Sequence, residues 1–489
     1  MNNKATRICA IVLVAFLALG ALFYLIAGDS LHFSSDSTET VTAKAPLGEL
    51  TKDESLKQSF LCEYDTVNSL TVTVGTMART NTDTVRAEIL DDGGKVVYTR
   101  DLNTATMKDN SEYTIAVDPP IENAKGRYFA LRLTSLSGTN RNCVTFYYGN
   151  SVDAGRVEIP VEIEDTEALY FNGERLLDED GNPCTLCLRV SGIKYHWFGT
   201  YYWLIYGIAA LLLALYLLRV LYCYKNGKKN GALIVIGSLY KYNFLIRQLV
   251  SRDFKTKYKR SVLGMLWSFL NPLLTMSIQY VVFSTIFKST IPNFIIYLLC
   301  GIICFNFFNE ATNMCLSSIV GNATLINKVY VPKYIYPFSR TLSSGINLLL
   351  SLIPLLIMML ITKTPLRPSA LLLPFGLLML FMLSYGIGLI LATMMVFFRD
   401  TQFLWNIFSM LLMYLTPIFY PDSIIPDHFM TVYKLNPLYH VIRFVRSILM
   451  DGVSPEPKAY LLCFIICFIP FLIGSVVFRK NQDKFILNI

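Results

Sequence analysis

Charged residues are scarce in this chain of 489 residues. They make up 16% of it, whereas an ordinary soluble protein contains about 25%. Apolar residues make up 53%, and the mean hydropathy is positive. This composition argues against a soluble multidomain enzyme, a disordered chain and a nucleic-acid-binding protein. The length is several times that of a typical domain, so at least two domains are expected.

Motifs that bind nucleotides or carry catalysis are also missing. The sequence contains no G-x-x-x-x-G-K-[ST] phosphate loop, no G-x-S-x-G elbow and no H-E-x-x-H zinc motif. The C-x-x-C motif at Cys184–Cys187 has neither a second such motif nor a neighbouring histidine to complete a zinc site. We therefore expect no catalytic residue, no metal and no cofactor on this chain. Energy for any transport would come from a partner or an ion gradient.

The charge is divided unevenly along the chain. Residues 28–196 carry 16 Lys and Arg against 27 Asp and Glu, a net charge of −11, and the remainder carries a net charge of +19. An acidic polar block within a basic apolar chain predicts a water-exposed domain inserted into a membrane protein.

Eight apolar runs are predicted to cross a bilayer as helices, which takes about 20 residues each. The first run follows Lys4 and Arg7 and is longer than the apolar part of a signal peptide, which favours an uncleaved anchor over residues 1–27. The second opens with an aromatic cluster suited to the headgroup region. The predicted spans are Ile8–Ala27, Trp197–Tyr222, Val262–Phe287, Phe294–Val320, Phe338–Ile361, Ala370–Phe398, Phe403–Tyr420 and Ala459–Phe478.

Basic residues indicate the direction of these spans. With the N-terminus inside, the segments assigned to the cytoplasm hold 20 Lys and Arg, and the short segments assigned outside hold 7. This excess agrees with the positive-inside rule. We predict a multi-pass protein of the cytoplasmic (inner or plasma) membrane of a bacterium. Residues 28–196 lie outside, 197–222 form the second span, 223–260 are cytoplasmic and 261–489 form a six-span core.

Residues 56–190 alternate short β-prone runs with turn signals, and Asp91–Gly94 between two of the runs is a hairpin signal. We predict an extracytoplasmic all-β domain of sandwich or jelly-roll type at 28–196. Its role is open between a spacer and a domain that contacts the exported ligand or the cell wall. The sequence also leaves open whether the cysteines of this domain form disulfides; they are Cys62, Cys143, Cys184 and Cys187.

A basic amphipathic segment precedes the core. Over Ser238–Lys259, apolar side chains recur every three or four residues and basic ones lie largely elsewhere on the helix, a pattern typical of a helix in the cytoplasmic interface. The junction Tyr258–Trp267 then leads into the first core span. The interfacial residues singled out are Arg252, Lys255, Tyr258 and Lys259.

This junction resembles the start of the first core helix of the type-2 ATP-binding-cassette exporter permeases. Within them it is most similar to the branch that exports polysaccharide, O-antigen and teichoic acid. Each motif is short, but the ordered set over 238–489 is specific, and the two N-terminal spans with their external domain are additions to it. The matches continue through the second core helix, the cytoplasmic loop, the turn between helices four and five, and the late external region: Phe305–Ala311, Ser318–Pro332, Phe398–Thr401, Thr416–Tyr420 and Leu435–Leu438.

The resemblance implies that the cytoplasmic loop contacts a nucleotide-binding ATPase subunit and that the interfacial helix frames this contact. The turn between helices four and five would brace the same surface. The alternatives are a plain basic loop, and a topology signal with a helix cap. The implied contact residues are Leu325, Lys328, Val329, Tyr330, Lys333, Arg399 and Asp400.

Polar groups at membrane depth are costly and usually face a protein interior or water. Asn309 and Glu310 are therefore predicted to line the translocation path or a dimer seam, with the alternative that Glu310 reaches the interface. Aromatic side chains would line a sugar path by stacking, although aromatics in membrane helices more often serve packing. The candidates for the path are Tyr280, Phe283, Phe305, Asn309, Glu310, Tyr414, Phe419 and Tyr420.

The function implied by the resemblance is that of a permease subunit working as a homodimer with two ATPase subunits, which hold the ATP and Mg²⁺. It would move a lipid-linked polysaccharide or teichoic-acid-like polymer outward. One alternative is a drug or lipid efflux permease of the same fold, which the junction motif disfavours. A membrane-anchored glycan-binding receptor would not need six core spans. A polytopic glycosyltransferase would need acidic catalytic motifs, and residues outside the external block include only 8 acids.

The predicted topology is testable by cysteine labelling in intact cells. A cysteine introduced at residue 100 should react with a membrane-impermeant reagent, because the acidic block lies outside. A cysteine at residue 228 should react only after the membrane is opened. The reverse pattern would overturn the assignment.

Overall fold

A computed structural model describes residues 2–38, 41, 43–150, 169–177, 183–226, 230–258, 263–264, 266–286 and 293–488. The β-prone run Val157–Ile163 and the interfacial Lys259 lie outside these residues. The chain divides into two compact units. His32–Thr200 is called the β unit, and Met1–Leu31 with Tyr201–Ile489 is called the membrane unit.

The β unit is built from two antiparallel sheets. One runs β1-β13-β4-β9-β12, with β7 also paired to β4 and β2 to β9, and the other runs β11-β10-β3-β8-β5-β6. The strands are β1 Phe33–Ser37, β2 Ala45–Pro46, β3 Ser55–Leu61, β4 Thr66–Gly75, β5 Thr84–Leu90, β6 Val96–Asn103, β7 Ser111–Glu122, β8 Tyr128–Ser135, β9 Thr145–Asn150, β10 Leu169–Phe171, β11 Glu174–Arg175, β12 Cys184–Leu186 and β13 Leu188–Tyr195.

Alternation of side chains builds the core of the β unit. Val85, Ala87 and Ile89 of β5 are buried, while the residues between them are only half-buried, as expected when every second side chain points inward. The predicted hairpin at Asp91–Gly94 joins β5 to β6, with the Asp91 carboxylate accepting from the Gly93 and Lys95 amides. The all-β fold class is confirmed.

The four cysteines of the β unit are buried. Burial raises the pKa of Cys143 and of Cys187 to about 11. A thiol with a raised pKa carries little thiolate at neutral pH and is a poor nucleophile. These cysteines therefore act as small core residues in this structure.

The membrane unit is helical. Among the described residues, six helices are long and apolar enough to cross a membrane, and two shorter apolar helices accompany them, in agreement with the predicted eight spans. The helices are α1 Asn2–His32, α2 Trp197–Thr200 (which belongs to the β unit), α3 Tyr202–Lys225, α4 Gly231–Lys241, α5 Asn243–Tyr258, α6 Leu266–Val281, α7 Phe294–Leu316, α8 Ala323–Lys328, α9 Ile335–Ile361, α10 Leu373–Phe397, α11 Thr401–Leu415, α12 Asp427–Leu435, α13 Pro437–Arg446, α14 Pro457–Asn481 and α15 Phe485–Asn488.

The two N-terminal spans, α1 and α3, pack together through tyrosines. Tyr202 donates its hydroxyl proton to the carbonyl of Gly20 at 2.7 Å, and Tyr206 donates to the carbonyl of Phe16. The Phe16 and Tyr206 rings stack with centroids 5.1 Å apart. A side chain at Gly20 would overlap the Tyr206 ring, so this glycine sets the close approach of the pair.

The core spans pack around α7 and α10. Helix α7 is buried along most of its length, and α10 makes its most extensive contact with α14. At that crossing a methyl group on Gly474 would overlap the carbonyl of Gly386, and one on Gly386 would overlap the backbone of Phe471. Small residues let helix backbones approach closely in membranes, where packing rather than water exclusion drives association.

Gly386 and Gly474 are therefore expected to tolerate no side chain. Gly474→Ala should force α10 and α14 apart and lower the stability of the purified protein by about 1–3 kcal/mol, as overpacking does. Gly345→Ala in α9 is the matched control, because its nearest contact would be Phe381 Cε2 at 3.9 Å. Thermal unfolding in detergent measures both. Equal stability of the two variants would contradict the close crossing.

Candidate functional site

A polar cluster lies between α7 and α11. Ser409 donates to Asn309 Oδ1 at 2.7 Å, and Asn313 Nδ2 donates to the same oxygen at 2.8 Å. Asn309 stands seven residues before the end of α7, roughly 10 Å into the helix at 1.5 Å per residue. The cluster borders a cavity of about 200 Å³ lined by Phe305, Asn309, Asn313, Asn406, Ser409, Met410 and Met413.

This cavity is the best candidate in the core for a polar path. Asn406 is exposed on α11 although the helix is otherwise largely apolar. An exposed amide on a membrane helix needs water or a protein partner, because hydrocarbon offers no hydrogen bonds. The structure thus groups Asn309 with two polar residues that the sequence analysis did not single out, Asn406 and Ser409.

Glu310 lies on a different side of α7 from Asn309. Its Oε1 accepts from Lys257 Nζ at 2.8 Å and from Asn347 Nδ2 at 2.6 Å. It lines a second cavity, of about 590 Å³, which α5, α7 and α9 border. The structure therefore places Glu310 beside the interfacial helix, and its assignment to the path remains a prediction.

The aromatic path candidates divide between packed and exposed side chains. Phe305 and Phe419 are buried, and Phe419 stacks on Phe283 with centroids 5.3 Å apart. Tyr280 and Tyr414 expose their side chains. Tyr420, half-buried, donates to the carbonyl of Tyr414 at 2.6 Å. Of the six aromatics, Tyr280 and Tyr414 therefore have the most surface available for a passing molecule.

Asn436 joins the two late external motifs. Its side chain caps α13 by accepting from the Leu438 amide at 3.0 Å. The same side chain donates to Thr416 Oγ1 at 2.8 Å, and Thr416 begins the segment after α11. The cap satisfies a helix-end amide that would otherwise be unpaired. The motifs at Thr416–Tyr420 and Leu435–Leu438 are thus joined by a hydrogen bond between residues 20 positions apart in sequence.

Arg446, at the end of α13, was missed by the sequence analysis. It is buried, its Nη1 donates to the Pro417 carbonyl at 2.7 Å, and its Nη2 donates to the carbonyls of Tyr297 and Ile418 at 3.2 and 3.0 Å. Its guanidinium carbon lies 3.4 Å from the Tyr297 ring centroid. A Cβ on Gly301 would come within 3.1 Å of it. Arg443 lies three residues earlier on the same helix, and the sequence carried no signal that Arg446 rather than Arg443 is the buried one.

The cytoplasmic loop presents one exposed stretch. Lys328, Val329 and Tyr330 are exposed, Tyr330 at 91%, whereas Leu325 is half-buried. Lys333 instead donates to the Gln482 carbonyl and lies 5.9 Å from the Phe485 ring centroid, so it contacts the C-terminal segment. An aromatic side chain this exposed is typical of a docking surface.

The other predicted contact residues lie at the turn between α10 and α11, and the predicted interfacial residues lie on α5. Arg399 and Asp400 are exposed at the turn between α10 and α11. Arg252 donates to Asp253 and Asn322, each at 3.2 Å, and Lys255 is exposed. The side chain of Tyr258 lies outside the described part of the chain.

Six long apolar helices in the described part of the chain, with a helix preceding the core and a polar cavity between two core helices, are typical of a multi-pass membrane protein. Residues 245–450 match the family described as ABC-2 type transporter. An O-antigen export system permease protein of Klebsiella pneumoniae, RfbA, is 32% identical over 253 residues, covering 50% of this chain and 96% of that protein. This chain belongs to the ABC-2 type transporter family.

Other relatives extend the comparison. RfbA of Myxococcus xanthus, an O-antigen export system permease protein, is 28% identical over 255 residues, which cover 51% of this chain and 97% of that protein. KpsM of Escherichia coli, a polysialic acid transport protein, is 25% identical over 252 residues, covering 50% of this chain and 95% of that protein. The resemblance predicted from the ordered motifs is confirmed. The chain is a multi-pass inner-membrane transporter subunit, and its β unit is consistent with an outside segment.

Proposed function

We propose that this chain is the permease of an ATP-driven exporter that moves a lipid-linked polysaccharide outward. The observation that carries the proposal is the similarity over nearly the whole length of relatives named for O-antigen export and polysialic acid transport. The polar cavity between α7 and α11 supports it, because a glycan needs hydrogen-bonding groups at membrane depth.

A homodimer is part of the proposal. Asn406 and the cavity beside it lie on an exposed face of α11, together with apolar side chains such as Ile407 and Met410. A second copy on this face would enclose the polar groups in a shared path and cover the apolar ones. Closed two-fold assemblies are the most common arrangement for identical subunits.

The energy source in this proposal is a separate ATPase subunit, which holds the ATP and Mg²⁺. The chain has no phosphate loop of its own, and the exposed stretch Lys328–Tyr330 offers a docking surface. The chain itself would bind no cofactor or metal.

The charge of the external block favours some polymers over others. Its net charge of −11 opposes a strongly anionic chain such as a teichoic acid. Salt screens charges beyond about 8 Å at physiological ionic strength, so only close approach is affected. A neutral or zwitterionic O-antigen-like glycan is the substrate class that we favour.

Export is tested in cells that lack this chain. Surface polysaccharide should fall and lipid-linked polymer should accumulate inside, because synthesis continues without an exit. The full chain supplied in trans should restore the surface polymer. Fractionation of cells followed by sugar analysis measures both pools. Unchanged pools in the deletion strain would contradict the proposal.

Docking of the ATPase is tested on the exposed stretch. The double variant Lys328→Glu with Tyr330→Ala should lower the affinity for the ATPase subunit roughly tenfold or more, as loss of an aromatic anchor does at interfaces. Co-purification of the ATPase with the tagged chain measures this. Lys434→Glu changes an equally exposed lysine after α11 and should have no effect. Equal recovery of the ATPase with both variants would remove the stretch from the contact.

A further inference from the structure

The interfacial helix α5 is held in two different ways along its length. Ile246, Leu249 and Val250 are buried in an apolar cluster that includes Tyr336 and Leu389. Beyond them the helix borders the cavity of about 590 Å³ that separates it from α7 and α9. Ile246 and Val250 also border a cavity of about 500 Å³ beside α9. A helix that is only partly enclosed along its length can move with little loss of apolar contact.

Two ion pairs cross this cavity. Helix α5 supplies the acid in one pair and the base in the other. The acid Asp253 on α5 meets the base Arg340 on α9, with Oδ1 and Nη1 2.9 Å apart. The base Lys257 on α5 meets the acid Glu310 on α7 at 2.8 Å. Asn347 also donates to Glu310, at 2.6 Å. The side chain of Asp253 is only 3% exposed, so this ion pair is largely shielded from solvent.

Glu310 connects this cavity to the polar path. Successive residues on a helix point about 100° apart. Asn309 therefore accepts from Ser409 of α11 while its neighbour Glu310 accepts from Lys257 of α5. Any rotation of this part of α7 moves both contacts together.

We propose that Glu310 is a positioning residue that transmits movement of α5 to the contact between α7 and α11. Lys257 draws Glu310 with it when α5 pivots, α7 turns, and the bond from Ser409 to Asn309 is altered. The ion pair suits this role because charged groups across a cavity can separate and re-form without repacking a core. The inference rests on the proposed export function.

The test is a charge reversal in the full chain together with its ATPase subunit. Lys257→Glu and Glu310→Lys each place like charges together and should lower export per ATP hydrolysed by about tenfold, a usual size for coupling between sites. The double reversal restores an opposite pair and should recover the ratio. The ratio is measured as cell-surface polysaccharide divided by the ATP turnover of the purified complex. A variant that merely fails to fold would lose both the polysaccharide and the ATP turnover.

Two further variants keep the result decisive. Glu310→Gln retains the volume and the bond from Asn347 but removes the ion pair, so it should lower the ratio even if the double reversal fails to assemble. Gln248→Glu is the control, because Gln248 is exposed on the same helix and is absent from the cavity lining. A wild-type ratio in Glu310→Gln, or an assembled double reversal without recovery, would overturn the inference. Failure of the wild-type chain to restore export in the deletion strain would instead overturn the proposed function.

Discussion

A polar group at membrane depth needs a hydrogen-bond partner in the protein or in water, because hydrocarbon offers none, and this constraint organises much of the membrane unit. Most hydroxyls meet it locally. Thr312, Ser384 and Thr393 each donate to the carbonyl four residues earlier, at 2.8 Å. Such bonds lie within one helix and do not connect it to another helix. The groups that cannot be satisfied in this way are the ones that join helices.

Asn309, Glu310 and Arg446 are among those groups. Asn309 joins α7 to α11, Glu310 joins α7 to α5 and α9, and Arg446 joins the end of α13 to α7 and to the segment after α11. Helix α7 takes part in all three connections. It is also buried along most of its length, and its polar side chains connect it to α5, α9, α11 and the end of α13.

The sequence predicted which segments form helices and strands better than it predicted the direction of individual side chains on a helix. The apolar helices, the hairpin at Asp91–Gly94 and the ordered family motifs follow from local apolar length, turn chemistry and short motifs. Among the described residues the structure has six helices long enough to span and two shorter apolar ones, and it has the hairpin. The family match bears out the motifs. The direction of a side chain on α7 does not follow, because a helix that is apolar all round has no amphipathic stripe to identify its faces. The sequence offered both the path and the interface for Glu310, and the structure adds that Glu310 pairs with Lys257. Lys333 contacts Gln482, which the sequence did not indicate. The path and docking assignments of these two residues stay predictions.

The two ends of the β unit lie next to each other, and so do the two helices, α1 and α3, that precede and follow it. Within the β unit the first strand pairs with the last, Phe33 opposite Tyr195 through Ser37 opposite Ser191. Within the membrane unit α1 and α3 are likewise neighbours, held by Tyr202 and Tyr206. Both ends of the β unit therefore leave it side by side, and the two spans that receive them are side by side as well. A domain with adjacent ends can be inserted between two spans without pulling them apart. The curated relatives align with only half of this chain, so the permease core and the β unit are separable in sequence as they are in structure. Within the membrane unit the α1–α3 pair also contacts the core, because Phe23 of α1 meets Tyr460 of α14 edge to face, with ring centroids 5.2 Å apart.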